Sequence, residues 1–542
     1  MSNPSLAERL GPLGDPLAWH LLLVVALSAA FESWFPAYRL NAFDEGWPLY
    51  AAMQLHEGGV LYRDAFFVFP PGHLLPAWLG YALDPPGVLV ARYLYAAFDV
   101  ALCAAIYLLG RRFVPPGFAL LAACLVAVAA PHSHSLHLLF GYRYLVWTAL
   151  ALLAFAKRLE VGDHRWTFLA GVLAGIALCF RLTPAFAVSC AVALGALAAS
   201  RSWRSWLRDG TAYAAGLLLV TAPALAWFAA SVGLETLWRE VVVRAVVMTD
   251  LTSLPVPELG VPPGPDRESL SRWFVALQFR LYPLLYGGYA LVLGGLWIRS
   301  LARGRAFPHP LLLAVVVWGG VYFLRTLGRA DVAHLDSAVP PACLVLAHLL
   351  AVATGRARTR PRTETRRAPR PVPVALGAVA FAGWVLLQGS DRYREPDLLL
   401  RAPIPSAGGA IRVSPSQARV VNRTVEALRE HTREGDTILD LASSPIYHVL
   451  AGRLGPGLAD VVVPGTFLDD AEEIAFVERL AQSPPAAVVW PSRDFDGLRE
   501  RSIERIAPRL AAWVRRNYAS RRPGAAYHDV LLPRSRVPGE GK

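Results

Sequence analysis

The chain has 542 residues, of which 55% are hydrophobic and 17% charged, and its mean hydropathy is +0.39. This composition excludes an ordinary soluble protein, because a membrane-spanning helix needs about 20 mostly apolar residues and the sequence contains many such segments. Only two of the 53 basic residues behind the net charge of +12 are lysines, and the arginines concentrate in loops between these segments. Orientation in a membrane explains that distribution, so we do not expect nucleic acid as a partner.

Eleven apolar segments predict transmembrane helices. Their approximate limits are residues 17–36, 87–110, 113–131, 142–156, 166–181, 183–199, 211–230, 282–298, 309–324, 338–354 and 371–389. Every even-numbered segment ends in a basic loop, and the densest loop, from Gly355 to Pro371, contains seven arginines. Because positive loops stay in the cytoplasm, this pattern predicts a cytoplasmic N-terminus and an extracytoplasmic C-terminus. The preference for arginine over lysine indicates a GC-rich bacterium, so we expect a multi-pass protein of the bacterial inner membrane.

Two regions of different character divide the chain. Residues 1–389 form the predicted transmembrane domain, whose first outward loop, residues 37–86, holds two apolar segments suited to helices along the membrane interface. Residues 390–542 alternate strand-like and helix-like segments, with strands expected at AIRV, TILDLA, ADVVVP and AAVVWP and a helix from Ser414 to His431. The predicted fold is an all-α polytopic membrane protein with a small C-terminal extracytoplasmic α/β domain.

Adjacent carboxylates follow the first span, in the stretch NAFDEGWPLY. Asp44 and Glu45 could start a helix, where acidic residues offset the helix dipole by roughly 0.3–1 kcal/mol. Alternatively, a carboxylate in a partly desolvated cleft could act as a general base towards a hydroxyl group.

Arginines occur where apolar spans end on the predicted outward side. An arginine in hydrocarbon costs about 2.5–3.5 kcal/mol, so each should either extend its guanidinium towards water or meet an anion. A guanidinium can bind phosphate with two charge-assisted hydrogen bonds. These arginines are Arg143, Arg181, Arg325 and Arg329.

The order of these features resembles a known family. A first span, then DEGWPLYAAMQLHEGGVLYRDAFFVFPPGHLLPAWL, then many spans and a soluble tail, is similar to the polyprenyl-phosphate-dependent C-type (GT-C) membrane glycosyltransferases. The bacterial relatives of protein O-mannosyltransferases and aminoarabinose transferases are the most similar members. The motif Tyr62-Arg63-Asp64 with the following Pro70 and Pro71 matches the continuation of their first loop. GRADVAHLDSAVPP resembles a late outward loop.

The resemblance implies a function and a site. It implies transfer of a sugar, hexosyl or pentosyl, from a polyprenyl-phosphate donor to a hydroxyl of an extracytoplasmic glycan, lipid or protein, with inversion. It gives the general-base role to Asp44 and makes Arg329, Asp331 and His334 candidate cavity residues. Arg181 with one or more of Arg143, Arg325 and Arg329 would hold the phosphate. Membrane lipids are the other expected partners.

Several site residues keep two interpretations. Glu45 is a second catalytic residue, a metal ligand or a helix-start charge. Asp64 is a second acid in the cavity or an ion-pair partner of Arg63, and His334 contacts substrate or only packs. Adjacent Asp44 and Glu45 point apart on either a strand or a helix, which disfavours joint chelation, so we expect no cofactor and no obligatory divalent metal.

Two other functions compete with sugar transfer. A lipid or polysaccharide transporter could use the same arginines to guide an anionic headgroup, but it would need charged positions at mid-membrane, and the acidic residues cluster outside the spans. A lipid-linked glycan ligase or polymerase would share the donor and depend more on the loop at residues 231–275. A noncatalytic scaffold with the tail as an interaction module is the remaining alternative.

Overall fold

The computed structural model describes residues 16–34, 36–129, 144–200, 202–260, 267–355, 402–407, 409, 411–520 and 528–537. Helices dominate up to residue 355, and a small sheet appears only after residue 402. In chain order the helices of the first region are α1 Pro16–Trp34, α2 Gly46–His56, α3 Leu75–Leu83, α4 Val88–Gly110, α5 Pro116–Ala129, α6 Leu145–Val161, α7 Arg165–Phe180, α8 Leu182–Ala199, α9 Trp203–Val232, α10 Leu234–Trp238, α11 Arg244–Leu251, α12 Arg267–Ala302, α13 Pro310–Thr326, α14 Val332–Leu335 and α15 Val339–Ala353.

Ten of the eleven predicted spans coincide with helices of this region. Among the described residues, five helical segments are long and apolar enough to cross a membrane: residues 88–110, 182–199, 203–232, 272–302 and 336–353. Four more apolar helices are shorter, and the predicted span at residues 371–389 lies outside the described residues, as does most of the polybasic stretch from Gly355 to Pro371. The predicted all-α membrane fold with a small α/β domain is confirmed, whereas the number of spans stays a prediction.

Small residues let the long helices approach closely. Gly171 and Gly175 on α7 face α9, and a Cβ atom at Gly171 would collide with the carbonyl oxygen of Tyr213. Gly216 on α9 is equally close to the carbonyl of Phe168. Where apolar lipid gives no hydrophobic driving force between helices, such backbone proximity supplies the packing energy.

The first loop folds into two helices, as predicted, but α2 does not lie half-exposed on a surface. Nine of its eleven residues are buried. The reason is its composition, because GWPLYAAMQ is apolar or small on every side and the helix packs against both α3 and the C-terminal domain. The residues just before α2 therefore have a rigid support.

The C-terminal region is a small α/β domain. Its elements are β1 Ala402–Pro403, β2 Arg412–Val413, α16 Pro415–His431, β3 Ile438–Asp440, α17 Ile446–Ala451, α18 Asp470–Gln482, β4 Ala487–Trp490, α19 Ile503–Ile506, α20 Pro508–Asn517, β5 Tyr518–Ser520 and β6 Asp529–Pro533. The main sheet has the order β3-β4-β6-β5, with β3 parallel to β4 and the other neighbours antiparallel. The predicted domain boundary at residues 389 and 390 falls outside the described residues.

This domain is attached to the first loop by backbone hydrogen bonds. Arg412 N donates to Ala37 O at 2.7 Å, Arg39 N donates to Arg412 O at 2.7 Å, and Ile446 N donates to Ala42 O at 3.2 Å. Side chains of the loop and of the domain share one buried apolar cluster. The loop that carries Asp44 is thus held between the membrane helices and the C-terminal domain.

Candidate active site

A cavity of about 560 Å³ lies where the first loop, the ends of the membrane helices and the C-terminal domain meet. It is lined by six residues proposed from the sequence, which come from positions up to 290 residues apart: Asp44, Arg181, Arg325, Arg329, Asp331 and His334. The structure thus brings together an acid and cations that the sequence separates.

Asp44 sits in a turn that Asn41 organises. The Asn41 Oδ1 atom accepts from the backbone N of Phe43 and Asp44, and its Nδ2 donates to Asp44 Oδ2 at 2.8 Å. Desolvation by the surrounding protein raises the pKa of Asp44 to about 7, although the charge of Arg329 opposes the increase. A carboxyl group with this pKa can accept a proton near neutral pH.

Glu45 points away from the cavity. It is fully buried and forms a two-pronged ion pair with Arg92, with Nε to Oε1 and Nη2 to Oε2 both 2.6 Å. The remaining donors of Arg92 bind the carbonyls of Pro36, Tyr38 and Arg39. The structure therefore places Glu45 at the start of α2 and outside the cavity lining, because a buried guanidinium takes both of its oxygens.

The helix that follows Asp44 is in turn fixed by the C-terminal domain. The Tyr50 hydroxyl donates to Asp460 Oδ2 and accepts from Gly455 N at 2.6 Å, and its ring stacks on His448 with centroids 4.1 Å apart. At Gly46, a Cβ atom would collide with the backbone of Ile446. The domain thereby determines where α2 begins.

Gly46→Ala tests this contact. The added methyl group should push α17 off α2 and cost about 1–3 kcal/mol of stability, as overpacking does. Limited proteolysis of the purified protein should then cut the C-terminal domain faster, whereas Gly117→Ala, which has open space around it, should behave like the wild type. Equal cutting of the two variants would contradict the proposed support.

Two of the arginines that line the cavity, Arg181 and Arg325, lie at the ends of apolar helices. Arg181 is buried, donates to the Tyr144 hydroxyl at 3.0 Å and lies 4.8 Å from the centre of the Phe69 ring. Arg325 ends α13, and within the described residues its buried Nη1 atom has no hydrogen-bond acceptor. The buried hydroxyl of Thr183 likewise lacks a partner there. Buried donors without acceptors suit an anionic ligand.

A second arginine cluster connects the membrane helices to the C-terminal domain. Arg329 pairs with Asp331 at 2.8 Å and with Asp496 at 2.9 Å, and Arg501 also binds Asp496. His334 contacts Asp331 through Nδ1 at 2.6 Å. Burial lowers the pKa of His334 to about 4, and the charges of Arg325 and Arg181 act in the same direction against the attraction of Asp331. Asp331 and Asp496 already neutralise the guanidinium of Arg329. Arg325, in contrast, keeps a buried donor without an acceptor among the described residues.

Two further residues were predicted for the site. Asp64 does not line the cavity; it forms a surface ion pair with Arg63 at 2.9 Å, with 43% of its side chain exposed. The adjacent guanidinium explains this position, and its hydrogen bond holds the pKa of Asp64 below the usual value. Arg143, with the histidines of PHSHSLH, lies outside the described residues.

One wall of the cavity was not anticipated from the sequence. Ser443 of this wall comes from the loop after β3, and Arg493, Asp494 and Phe495 come from the loop after the parallel strand β4. His528, just before β6, completes the wall. The sequence could have indicated these residues only by their position after predicted strands, because ligands of α/β sheets bind beyond the carboxyl ends of parallel strands. No set of three or more metal-ligating side chains is grouped within the described parts of the chain.

Comparisons with known proteins concern the family and the fold. Residues 69–227 match the family described as dolichyl-phosphate-mannose-protein mannosyltransferase. The fold is similar to that of ArnT from Cupriavidus metallidurans, solved bound to undecaprenyl phosphate, with a TM-score of 0.53, 15% identity and coverage of 95% of this chain and 98% of that one. No curated protein matches the sequence.

A second solved structure has the same architecture. The Archaeoglobus fulgidus oligosaccharyltransferase, tethered with an acceptor peptide containing the NVT sequon, has a TM-score of 0.51 at 14% identity, over 93% of this chain and 72% of that one. At such identities the likeness concerns the fold, and the family match covers the region from the first loop to α9. Together the match of residues 69–227 and the shared fold confirm the resemblance to the C-type (GT-C) membrane glycosyltransferases.

Proposed function

We propose that this protein transfers a hexosyl or pentosyl group from a polyprenyl-phosphate donor to a hydroxyl of an extracytoplasmic acceptor, with inversion and with Asp44 as general base. The observation that carries the proposal is one cavity that holds Asp44, with a raised pKa, and the cations Arg181 and Arg325. The likeness to ArnT bound to undecaprenyl phosphate supports the choice of donor.

The reaction assigns one role to each group. The acceptor oxygen attacks the anomeric carbon while its proton passes to Asp44, and the bond between that carbon and the phosphate oxygen breaks. The electron pair of this bond leaves with the polyprenyl phosphate. Attack on the face opposite the phosphate inverts the anomeric centre.

The leaving phosphate gains negative charge as the bond breaks. Arg181, Arg325 and the Thr183 hydroxyl are donors held in place around the cavity. They would stabilise this charge by donating hydrogen bonds to the phosphate oxygens. Preorganised donors of this kind are worth on the order of 3 kcal/mol each in the transition state. We propose that His334, neutral because of its lowered pKa, contacts the same phosphate or the sugar.

Orientation in the membrane is part of the proposal. The cavity and the C-terminal domain would face the extracytoplasmic side of a bacterial inner membrane, where lipid-linked sugars are the available donors. Arginine charge would replace a divalent metal at the phosphate, so activity should survive EDTA treatment.

Sugar transfer by the purified protein in proteoliposomes tests the function. Radiolabelled lipid-linked sugars from a bacterial membrane extract would be supplied with cell-envelope material as acceptor, and both transfer and movement of label across the bilayer would be measured. Transfer to the acceptor fraction supports the proposal. Movement of the labelled lipid without transfer would instead establish a transporter.

A further inference from the structure

The wall contributed by the C-terminal domain differs chemically from the wall that holds Arg181 and Arg325. It consists of the loops that follow β3 and β4, residues 441–443 and 491–496, with His528 beside them. These loops lie beyond the carboxyl ends of two parallel strands, the usual place of ligand sites in α/β sheets. They are held in position, because Asp440 at the end of β3 accepts from Ala442 N at 3.0 Å and also from Ser444 N at 2.5 Å.

Charges on this wall are matched. Asp496 is neutralised by Arg329 and Arg501, and Arg493 lies next to Asp494. Neither Arg493 nor Asp494 makes a side-chain hydrogen bond or ion pair within the described residues, so both can bind a ligand. Arg493 and Arg501 thus balance Asp494 and Asp496, whereas a phosphorylated acceptor would need an excess of cations here and a basic acceptor an excess of carboxylates.

This balance of charges is combined with an aromatic surface. Phe495 lines the cavity and packs edge-on against Phe43, the residue before Asp44, with ring centroids 5.7 Å apart. A ligand on Phe495 is therefore next to the proposed base. The ring of Phe495 lies beside a donor, Arg493, and an acceptor, Asp494. This combination suits a sugar, because a sugar ring has C–H groups on its face and its hydroxyls both donate and accept.

We infer that the loops after β3 and β4 form an acceptor subsite for a neutral carbohydrate, in which Phe495 packs against a sugar ring and Arg493 and Asp494 bind its hydroxyls. This inference rests on the proposed function and specifies its acceptor as a glycan. A peptide acceptor would need backbone partners such as an open strand edge. The outer edge of β3 is instead bridged by Val461.

The test uses the full chain in nanodiscs of zwitterionic lipid. Binding would be measured by saturation-transfer-difference NMR for neutral trisaccharides (maltotriose, cellotriose, mannotriose and chitotriose), for a serine- and threonine-rich hexapeptide and for a doubly phosphorylated glucosamine disaccharide. Variants are Asp494→Asn, Phe495→Leu, which keeps an apolar side chain against Phe43, and Glu430→Gln, a surface control on α16.

We expect at least one trisaccharide to bind in preference to the peptide and the phosphorylated disaccharide. Asp494→Asn should weaken that binding about tenfold, the usual effect of losing a hydrogen bond to a charged group. Phe495→Leu should weaken it several-fold, and Glu430→Gln should leave it unchanged. Preferred binding of the peptide or of the phosphorylated disaccharide, or trisaccharide binding insensitive to both cavity variants, would overturn the inference.

A separate measurement distinguishes this inference from the proposed function. Undecaprenyl phosphate should bind the protein in the same nanodiscs. Arg325→Ala should weaken that binding, and Asp494→Asn should leave it unchanged. If undecaprenyl phosphate binds and no trisaccharide does, the glycan acceptor is wrong and the proposed donor site stands. If undecaprenyl phosphate does not bind, the proposed function itself fails.

Discussion

Asp44→Asn is expected to reduce the rate of sugar transfer by about a hundredfold to ten-thousandfold, the usual contribution of a general base. The substitution keeps the shape of the side chain and its place beside Asn41 but removes the negative charge that accepts the proton. The rate of transfer to a fixed acceptor, measured with purified protein in proteoliposomes, gives the effect directly. Asp64→Asn is the matched control, because that carboxylate lies on the surface in the same loop.

The dependence of the rate on pH provides a second readout of the same residue. Burial raises the pKa of Asp44 to about 7, so the group is protonated below this pH and ionised above it. The value of kcat/KM should therefore rise about tenfold per pH unit below 7 and level off above it. Full activity of Asp44→Asn, or an equal loss in Asp64→Asn, would contradict the assignment of the base.

Sequence patterns predicted the membrane helices because each depends on residues adjacent in the chain. An apolar run long enough to span lipid specifies a helix wherever it occurs, and ten helices follow such runs: α1, α4 to α9, α12, α13 and α15. The amphipathic helix predicted from Ser414 to His431 is also present, as Pro415–His431, and Ser414 caps it by accepting from Gln417 N. Local information was sufficient for these elements.

The predicted strand at ADVVVP shows where local information fails. In the structure this segment makes a single bridge, from Asp440 to Val461, and β5 and β6 were not predicted. The Thr466 hydroxyl donates to Val461 O and accepts from Val463 N, both at 2.9 Å. A side chain thus takes the backbone groups that a strand partner would have used.

The candidate site was predictable only in part. The acid after the first span and the arginines at span ends could be proposed one by one, because charge next to hydrocarbon requires an explanation. Their common cavity depends on long-range folding, and so does the wall that Phe495 contributes about 450 residues after Asp44. Arg92 also lies inside a predicted apolar segment. The same requirement for an explanation could have indicated that it has a buried carboxylate partner.

Arg92→Ala is expected to destabilise the protein by about 3–5 kcal/mol, the usual cost of removing one partner of a buried ion pair. The carboxylate of Glu45 would remain buried without its guanidinium, and the carbonyls of Pro36 and Arg39 would lose their donor. The midpoint of thermal unfolding can be followed with a thiol-reactive dye, because the cysteines of this chain are free and buried or half-buried. We expect a clearly lower midpoint and, since this loop carries Asp44, loss of transfer as well.

Two control variants separate the ion pair from a general effect of charge. Arg63→Ala removes an exposed arginine from the same loop, where an ion pair contributes only about 0–1 kcal/mol, so its midpoint should stay close to that of the wild type. Arg92→Lys keeps the positive charge but cannot reach both oxygens of Glu45 and the carbonyls at once. Its unfolding midpoint should therefore lie between those of Arg92→Ala and Arg63→Ala. If Arg92→Ala unfolds at the wild-type temperature, the Glu45–Arg92 pair does not hold the Asp44 loop, and the rigidity inferred for the proposed base would have to come from the C-terminal domain alone.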